Sequence, residues 1–443
     1  MSYYDGLEER NTKKIPYDDT PISRNSSGSR RQVGGSSPKT VKVLATLVAV
    51  LIFVNIALVI MTFYYLKNSV VKNVYYNTYN LPDSSDVSTY SVSNAKWSSV
   101  SIAAGTTIST EEEFYGGGYS SGSGVILKKT NSEVYILTCY HVVDSYQDRV
   151  YLMAPSSLKP VKATFVGHSK RYDIAVVKTT EIDEFDGCTA VEVFDSTYLE
   201  EGEGVFAVGN SLGAGMSITS GLVSKLNSLV VTETTNTKSL RVIQTSADIN
   251  PGNSGGGLFN TKGQLVGIVN AKKHTTKNGG STVTVLGTAF AIPSNMAVSI
   301  GNSIIENNGT PRCANLGLVF SHNASHGVEQ FVDDTTGKTI SKYTVCVDYI
   351  NSASPASGKL QVGDMIVSFT YTDKSNVRHT CTMFNKYSYD DVAFNVKPGS
   401  NITFNIKRGL LGNIDNGATD KEITFNVGTA VYSTLDVDER PAS

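Results

Sequence analysis

Charged and apolar positions are spread unevenly along this chain. From Val43 to Leu66 there is no charged residue across 24 positions. At about 1.5 Å rise per residue, a helix of that length spans the roughly 30 Å hydrocarbon core of a membrane. After it, apolar residues come in short β-branched and aromatic runs set between Gly, Ser, Asn and Asp. Tyr135-Ile136-Leu137-Thr138-Cys139 and Ile174-Ala175-Val176-Val177 read as buried strands. Asn401 to Lys407 alternates with period two and reads as a half-buried strand. Residues 1–42, rich in Ser, Gly, Arg and Asp, read as a disordered tail. Residues 67–96, polar with tyrosines, read as a stalk. The pattern predicts a mainly β protein behind one transmembrane helix.

A buried core helix and a cleaved signal peptide are the alternatives for residues 43–66. A core helix is rarely apolar on every face for so long. The long polar leader and the lack of a small-x-small cleavage site argue against a signal peptide. Arg30, Arg31, Lys39 and Lys42 precede the run, and Lys67 and Lys72 follow it. This excess predicts a cytoplasmic N-terminus, with the rest of the chain outside the cell membrane in a single pass.

With 443 residues there is room for two or three domains beyond the tail. The net charge of −2 leaves no broad basic field, so no nucleic-acid partner is implied. The five cysteines are scattered, without metal-ligand spacing or a disulfide framework. Whether Cys346 and Cys381 pair stays open. Cys139 reads as a small buried apolar residue rather than a second nucleophile. No nucleotide motif is present; neither a cofactor nor a metal is expected.

The chemistry centres on Asp248-Ile249-Asn250-Pro251-Gly252-Asn253-Ser254-Gly255-Gly256. Glycines on both sides of Ser254 allow a tight turn whose backbone N–H groups can face a substrate oxygen. That arrangement suits a nucleophile beside an oxyanion hole. A serine needs a base, and His141 closes an apolar strand-like run. It also needs an orienting acid, and Asp173 opens another strand. Taken singly, the serine run could be a plain hairpin turn, the histidine structural and the aspartate a strand-edge residue. Together, the order His141, Asp173, Ser254 is that of chymotrypsin-like enzymes.

Further segments accompany these three: Ser121-Gly122-Ser123-Gly124-Val125-Ile126-Leu127, Gly209-Asn210-Ser211-Leu212-Gly213, Ser220-Gly221-Leu222-Val223-Ser224, Gln244-Thr245 and Thr288-Ala289-Phe290-Ala291-Ile292-Pro293-Ser294. Over about residues 97–430 the chain resembles the HtrA (DegP/DegS-like) trypsin-fold proteases. Two positions depart from that pattern: Gly257 replaces a usual proline, and Asp248 a usual small residue. The resemblance implies a chymotrypsin/trypsin-like double β-barrel over residues 97–300, with Ser121–Leu127 as its first strand, and a short connector at 301–312. A PDZ domain follows over 313–430, with a short groove helix at Asp390–Val396. A generic small β domain is the alternative for this last part.

The resemblance further implies a serine endopeptidase acting on misfolded or exposed protein segments, assembled as a homotrimer. Ser254 would attack, His141 exchange the proton and Asp173 orient the imidazole. Backbone N–H groups of Gly252, Asn253 and Ser254 would form the oxyanion hole. Leu316, Gly317, Leu318 and Val319 would hold the C-terminus of a peptide ligand by strand addition. Asp248, six residues before Ser254, would either floor a pocket for basic side chains or turn away toward a group such as Lys272. The rival function is a peptide-binding holdase or sensor with little proteolysis.

Overall fold

Strands rich in Val, Ile and Ala form two sets of six, and each set closes on itself. The computed structural model describes residues 88–105, 107–116, 120–231, 239–270, 275–278, 281–284, 289–323, 328–332, 339–409, 419–427 and 432–433, with Lys42, Asn55 and Leu58. Residues 1–41 of the tail, the rest of the 43–66 run and residues 67–87 of the expected stalk lie outside the described residues. Among the described residues no helix is long and apolar enough to cross a membrane.

The first barrel comprises β1 (Ser99–Ala104), β2 (Ser120–Lys129), β3 (Val134–Cys139), β4 (Val150–Met153), β5 (Val161–Ser169) and β6 (Ile174–Thr179). Its order is β1-β2-β3-β6-β5-β4, and β4 pairs back onto β1 to close it. Closure leaves no edge strand open to another chain. Val100, Ile102, Val125, Ile136, Leu137 and Val176 are fully buried. The segment Ser121–Leu127 therefore lies in the second strand of this barrel, not the first.

Residues 89–96 differ from the expected stalk: they belong to a helix, α1 (Thr89–Trp97). Its sequence has no apolar stripe, so the 3.6-residue period gave no signal. Ser88 caps it by accepting from the Ser91 N–H, and Ala95 is buried against the barrel core. A second short helix, α2 (Glu111–Tyr115), starts on a capping box between Thr110 and Glu113 and buries Phe114.

The second barrel contains β7 (Gly204–Gly209), β8 (Ser217–Val231), β9 (Ser239–Thr245), β10 (Gly257–Asn260) and β11 (Leu265–Asn270). A hairpin of β12 (Thr275–Asn278) and β13 (Ser281–Thr284) precedes its last strand, β14 (Ala289–Pro293). The closed order is β10-β11-β14-β9-β8-β7. Between β3 and β4 lies the single-turn helix α3 (Tyr140–Val143). The helix α4 (Ser294–Glu306) leaves β14 directly and buries Met296, Ala297, Ile300 and Ile304. The first half of the expected connector is thus helical.

Beyond α4, β15 (Cys313–Ala314) leads into β16 (Leu318–His322). A ribbon of β17 (Val328–Val332) and β18 (Thr339–Tyr343) follows, then β19 (Val345–Ile350), β20 (Met365–Thr372), β21 (Arg378–Thr382), β22 (Asn401–Arg408), β23 (Thr419–Asn426) and β24 (Tyr432–Ser433). The main sheet runs β16-β19-β20-β22-β23, with β21 also on β20, while β24 pairs with β15. Phe369, Phe404, Phe425 and Tyr389 fill its core. The expected helix at Asp390–Val396 is instead a series of turns. Ala393 N–H does reach the Tyr389 carbonyl at 3.0 Å, but Asn395 N–H turns back to Val392 at 2.8 Å. All five cysteines, Cys346 and Cys381 included, are free thiols.

Candidate active site

Each barrel delivers part of one cluster. β3 carries the chain to Cys139, and α3 places His141 against Ser254 on the second barrel's side. Asp173 sits just before β6 in the left-handed region, at φ 53°. Aspartate visits that region more readily than most residues. The turn lets its carbonyl accept from the Tyr140 N–H at 3.0 Å while its carboxylate faces the histidine. Asp173 Oδ1 accepts from the His141 backbone N–H at 3.0 Å, and Oδ2 lies 2.6 Å from His141 Nδ1.

The carboxylate is fully buried, and a buried charge is tolerable only with its hydrogen-bond capacity filled. The amide of Asn270, at the end of β11, is the carboxylate's third donor, reaching Oδ2 at 2.9 Å. With a carboxylate at Nδ1, the ring proton belongs on that nitrogen, which leaves Nε2 as an acceptor. Nε2 lies 2.9 Å from Ser254 Oγ. The arrangement can take a proton from the hydroxyl and hold the resulting imidazolium against a fixed negative charge.

The serine turn is held by close backbone packing. Gly255, at φ 82°, has no room for a side chain: a Cβ there would lie 2.2 Å from both Ser123 O and Thr138 Oγ1. Gly252, at φ 97°, is similarly closed off, with Asn210 O at 2.1 Å from a Cβ. Ser123 bridges the barrels: its hydroxyl donates to Gly252 O at 2.7 Å and its N–H to Ser254 O at 2.8 Å. The Pro251 carbonyl accepts from the Leu212 N–H at 2.8 Å. In a trans peptide this sends the Gly252 N–H the opposite way.

Among the three expected oxyanion donors, Asn253 is a correction. Its N–H donates to Asn250 O at 3.0 Å, closing the turn, so it is not available to a substrate.

Asp248 also departs from expectation. Its side chain is exposed rather than set in a desolvated pocket floor. A solvated carboxylate exerts little pull on a cationic side chain. The Lys272 alternative lies outside the described residues.

In the C-terminal domain, Leu316, Leu318 and Val319 are buried around the start of β16, and Gly317 adopts φ 62°. Its N–H donates to Asn315 Oδ1 at 2.9 Å, and its carbonyl accepts from Asn351 N–H at 2.8 Å. The strand that follows lies at the edge of its sheet.

Asn270 escaped the sequence reading. It ends the run Leu265-Val266-Gly267-Ile268-Val269-Asn270, where a terminal polar residue reads as a strand boundary. Only the pairing of the barrels shows that it reaches Asp173.

The family model described as a trypsin-like peptidase domain matches residues 122–268. A serine protease Do-like HtrA of Lactococcus lactis subsp. cremoris is 41% identical over 189 residues, 42% of this chain and 45% of that protein. A probable periplasmic serine endoprotease DegP-like of Pseudomonas putida is 33% identical over 250 residues, 56% of this chain and 47% of the relative. The chain thus spans about half the length of the curated relatives it matches. A solved structure titled HtrA-type protease AlgW with decapeptide aligns over 76% of this chain and 97% of its own, at 23% identity and a TM-score of 0.44. On the two closed barrels and these sequence relatives, the chain carries a trypsin-like peptidase domain similar to those of HtrA-type serine proteases.

Proposed function

We propose that the chain is a membrane-anchored serine endopeptidase that cleaves exposed or misfolded protein segments outside the cytoplasmic membrane. The observation that carries this reading is the continuous hydrogen-bonded path Asp173–His141–Ser254, at 2.6 and 2.9 Å. Ser254 Oγ attacks the scissile carbonyl as His141 Nε2 takes its proton. The carboxylate of Asp173 keeps the ring in the required tautomer and offsets the imidazolium charge. The same proton then goes to the leaving amine. Gly252 and Ser254 N–H groups receive the oxyanion.

The C-terminal sheet domain is proposed to act as a PDZ module. An extended peptide would add to the edge of β16, its carboxylate meeting the Leu316–Val319 segment. The buried side chains of that segment support a backbone-mediated mode of capture. Residues 43–66 would anchor the chain with its N-terminus in the cytoplasm, and the peptidase domains would associate as a homotrimer.

Cleavage of unfolded casein by the purified chain tests the reading. Cleavage should be lost in Ser254→Ala while circular dichroism stays unchanged. Cleavage that survives the substitution would remove Ser254 as the nucleophile. For the topology, protease added to right-side-out vesicles should digest the chain beyond residue 67 and spare residues 1–42; the reverse pattern would overturn the orientation.

A further inference from the structure

We propose that Cys139, together with His141 and Asp173, forms an inhibitory zinc site within the peptidase centre. The inference rests on the assignment of His141 as the proton acceptor for Ser254. Cys139 lies two residues before His141, at the end of β3, and is fully buried. Its thiol lies where the two barrels meet and donates to Val269 O of β11 at 3.3 Å. One donor atom each from Cys139, His141 and Asp173 lie within 4.8 Å of one another.

Thiolate, imidazole and carboxylate together make a donor set suited to Zn²⁺. Three protein ligands would leave a fourth tetrahedral position for water. Tetrahedral bonds of about 2.1 Å separate N and O ligands by roughly 3.4 Å. The His141 Nδ1–Asp173 Oδ2 distance is 2.6 Å, so the imidazole would have to withdraw by less than about 1 Å. His141 is suited to that movement: its side chain is 14% exposed, while the other two are fully buried.

The proton balance sets the consequence. Zinc binding forms an S–Zn bond and releases the Cys139 thiol proton to solvent. Coordination at Nδ1 displaces the ring proton there, and the neutral imidazole carries it on Nε2 instead. Nε2–H then donates toward Ser254 Oγ and no longer accepts from it. The metal would thus silence the base through its tautomer, without occupying the substrate cleft.

Titrating the full chain with Co²⁺ alone tests binding independently of activity, because a cysteine ligand gives a thiolate-to-cobalt charge-transfer absorption. Wild type should show that band saturating at one metal per chain, with Zn²⁺ displacing it. Zn²⁺ should suppress peptide cleavage over the same concentration range. Cys139→Ser and Cys139→Ala, each checked for folding by circular dichroism, should lose the band and need at least about tenfold more zinc for inhibition. A band and inhibition equal to wild type in both variants would overturn the proposal, as would a wild-type chain that cleaves peptide yet shows no band. A chain that shows the Cys139-dependent band but cleaves nothing in metal-free buffer would retain the site and overturn the peptidase reading instead.

Discussion

Arg241 in the second barrel and Asp391 in the C-terminal domain, 150 positions apart, form an ion pair whose side chains are each only 7% exposed. Burial pushes the Arg241 guanidinium down to about 10, which leaves it protonated at neutral pH. Tyr387 lies against its face, 5.3 Å from the guanidinium carbon, and Ser299 of α4 donates to the Asp391 carbonyl at 3.2 Å. Phe394 meets Tyr172 edge-on at 5.7 Å, one residue from Asp173. The turns at 387–394 therefore dock on the peptidase domain.

Breaking that pair from one side should be costly, because the other charge stays buried without its partner. Asp391→Ala should lower stability by about 3–5 kcal/mol in urea denaturation. Arg241→Met combined with Asp391→Leu should cost less than Asp391→Ala alone, since no buried charge remains. A double variant as unstable as the sum of its single changes would show that the pair is not the source of the effect.

Substitutions along the Asp173–His141–Ser254 path should separate by role. Ser254→Ala and His141→Ala should each reduce cleavage by about 10⁴-fold or more. Asp173→Asn should be comparably severe, since the amide favours the wrong tautomer of His141. Asn270→Ala removes one hydrogen bond to a buried carboxylate, a loss of about 1.5–3 kcal/mol. Its kcat should fall about ten- to a hundredfold with KM little changed. An effect of Asn270→Ala confined to KM would contradict its role in positioning Asp173.

At the serine turn, Gly255→Ala should abolish activity and lower stability. The new Cβ would overlap Ser123 O and Thr138 Oγ1, in a backbone conformation that alanine resists. Thermal denaturation and casein cleavage measure the two effects. Wild-type values for both would mean that the turn relaxes without cost.

Exposure of Asp248 leads to a different expectation from its sequence position. Asp248→Ala should leave the cleavage-site profile unchanged, as measured by mass spectrometry of digested casein. A preference for Arg or Lys before the scissile bond that disappears in the variant would restore the carboxylate to the pocket.

Short buried strands and the residues of the central cluster are legible in local patterns, whereas the closure of the strands into two barrels follows only from the resemblance. Glycines around Ser254 report a tight turn, and apolar runs ending at His141 and starting after Asp173 report strand termini. What escaped depends on partners distant in the chain. Asn270 gains its role only when β11 is placed beside the first barrel. Arg241 reads as a polar interruption in β9 until Asp391 faces it. Helix α1 was missed because Thr89–Trp97 has no apolar stripe; a Ser88 cap and one buried alanine suffice once the barrel is present. The reverse holds at 390–396, where the helix implied by the resemblance gives way to turns docked on Arg241 and Tyr172.

The most direct test of the account is labelling of the full chain with a fluorophosphonate, which reacts with a serine hydroxyl only when a base activates it. Peptide mass spectrometry should find the adduct on Ser254, and it should be absent from Ser254→Ala and strongly reduced in His141→Ala. Equal labelling of wild type and Ser254→Ala, or an adduct at another serine, would contradict the assignment of Ser254 as the nucleophile.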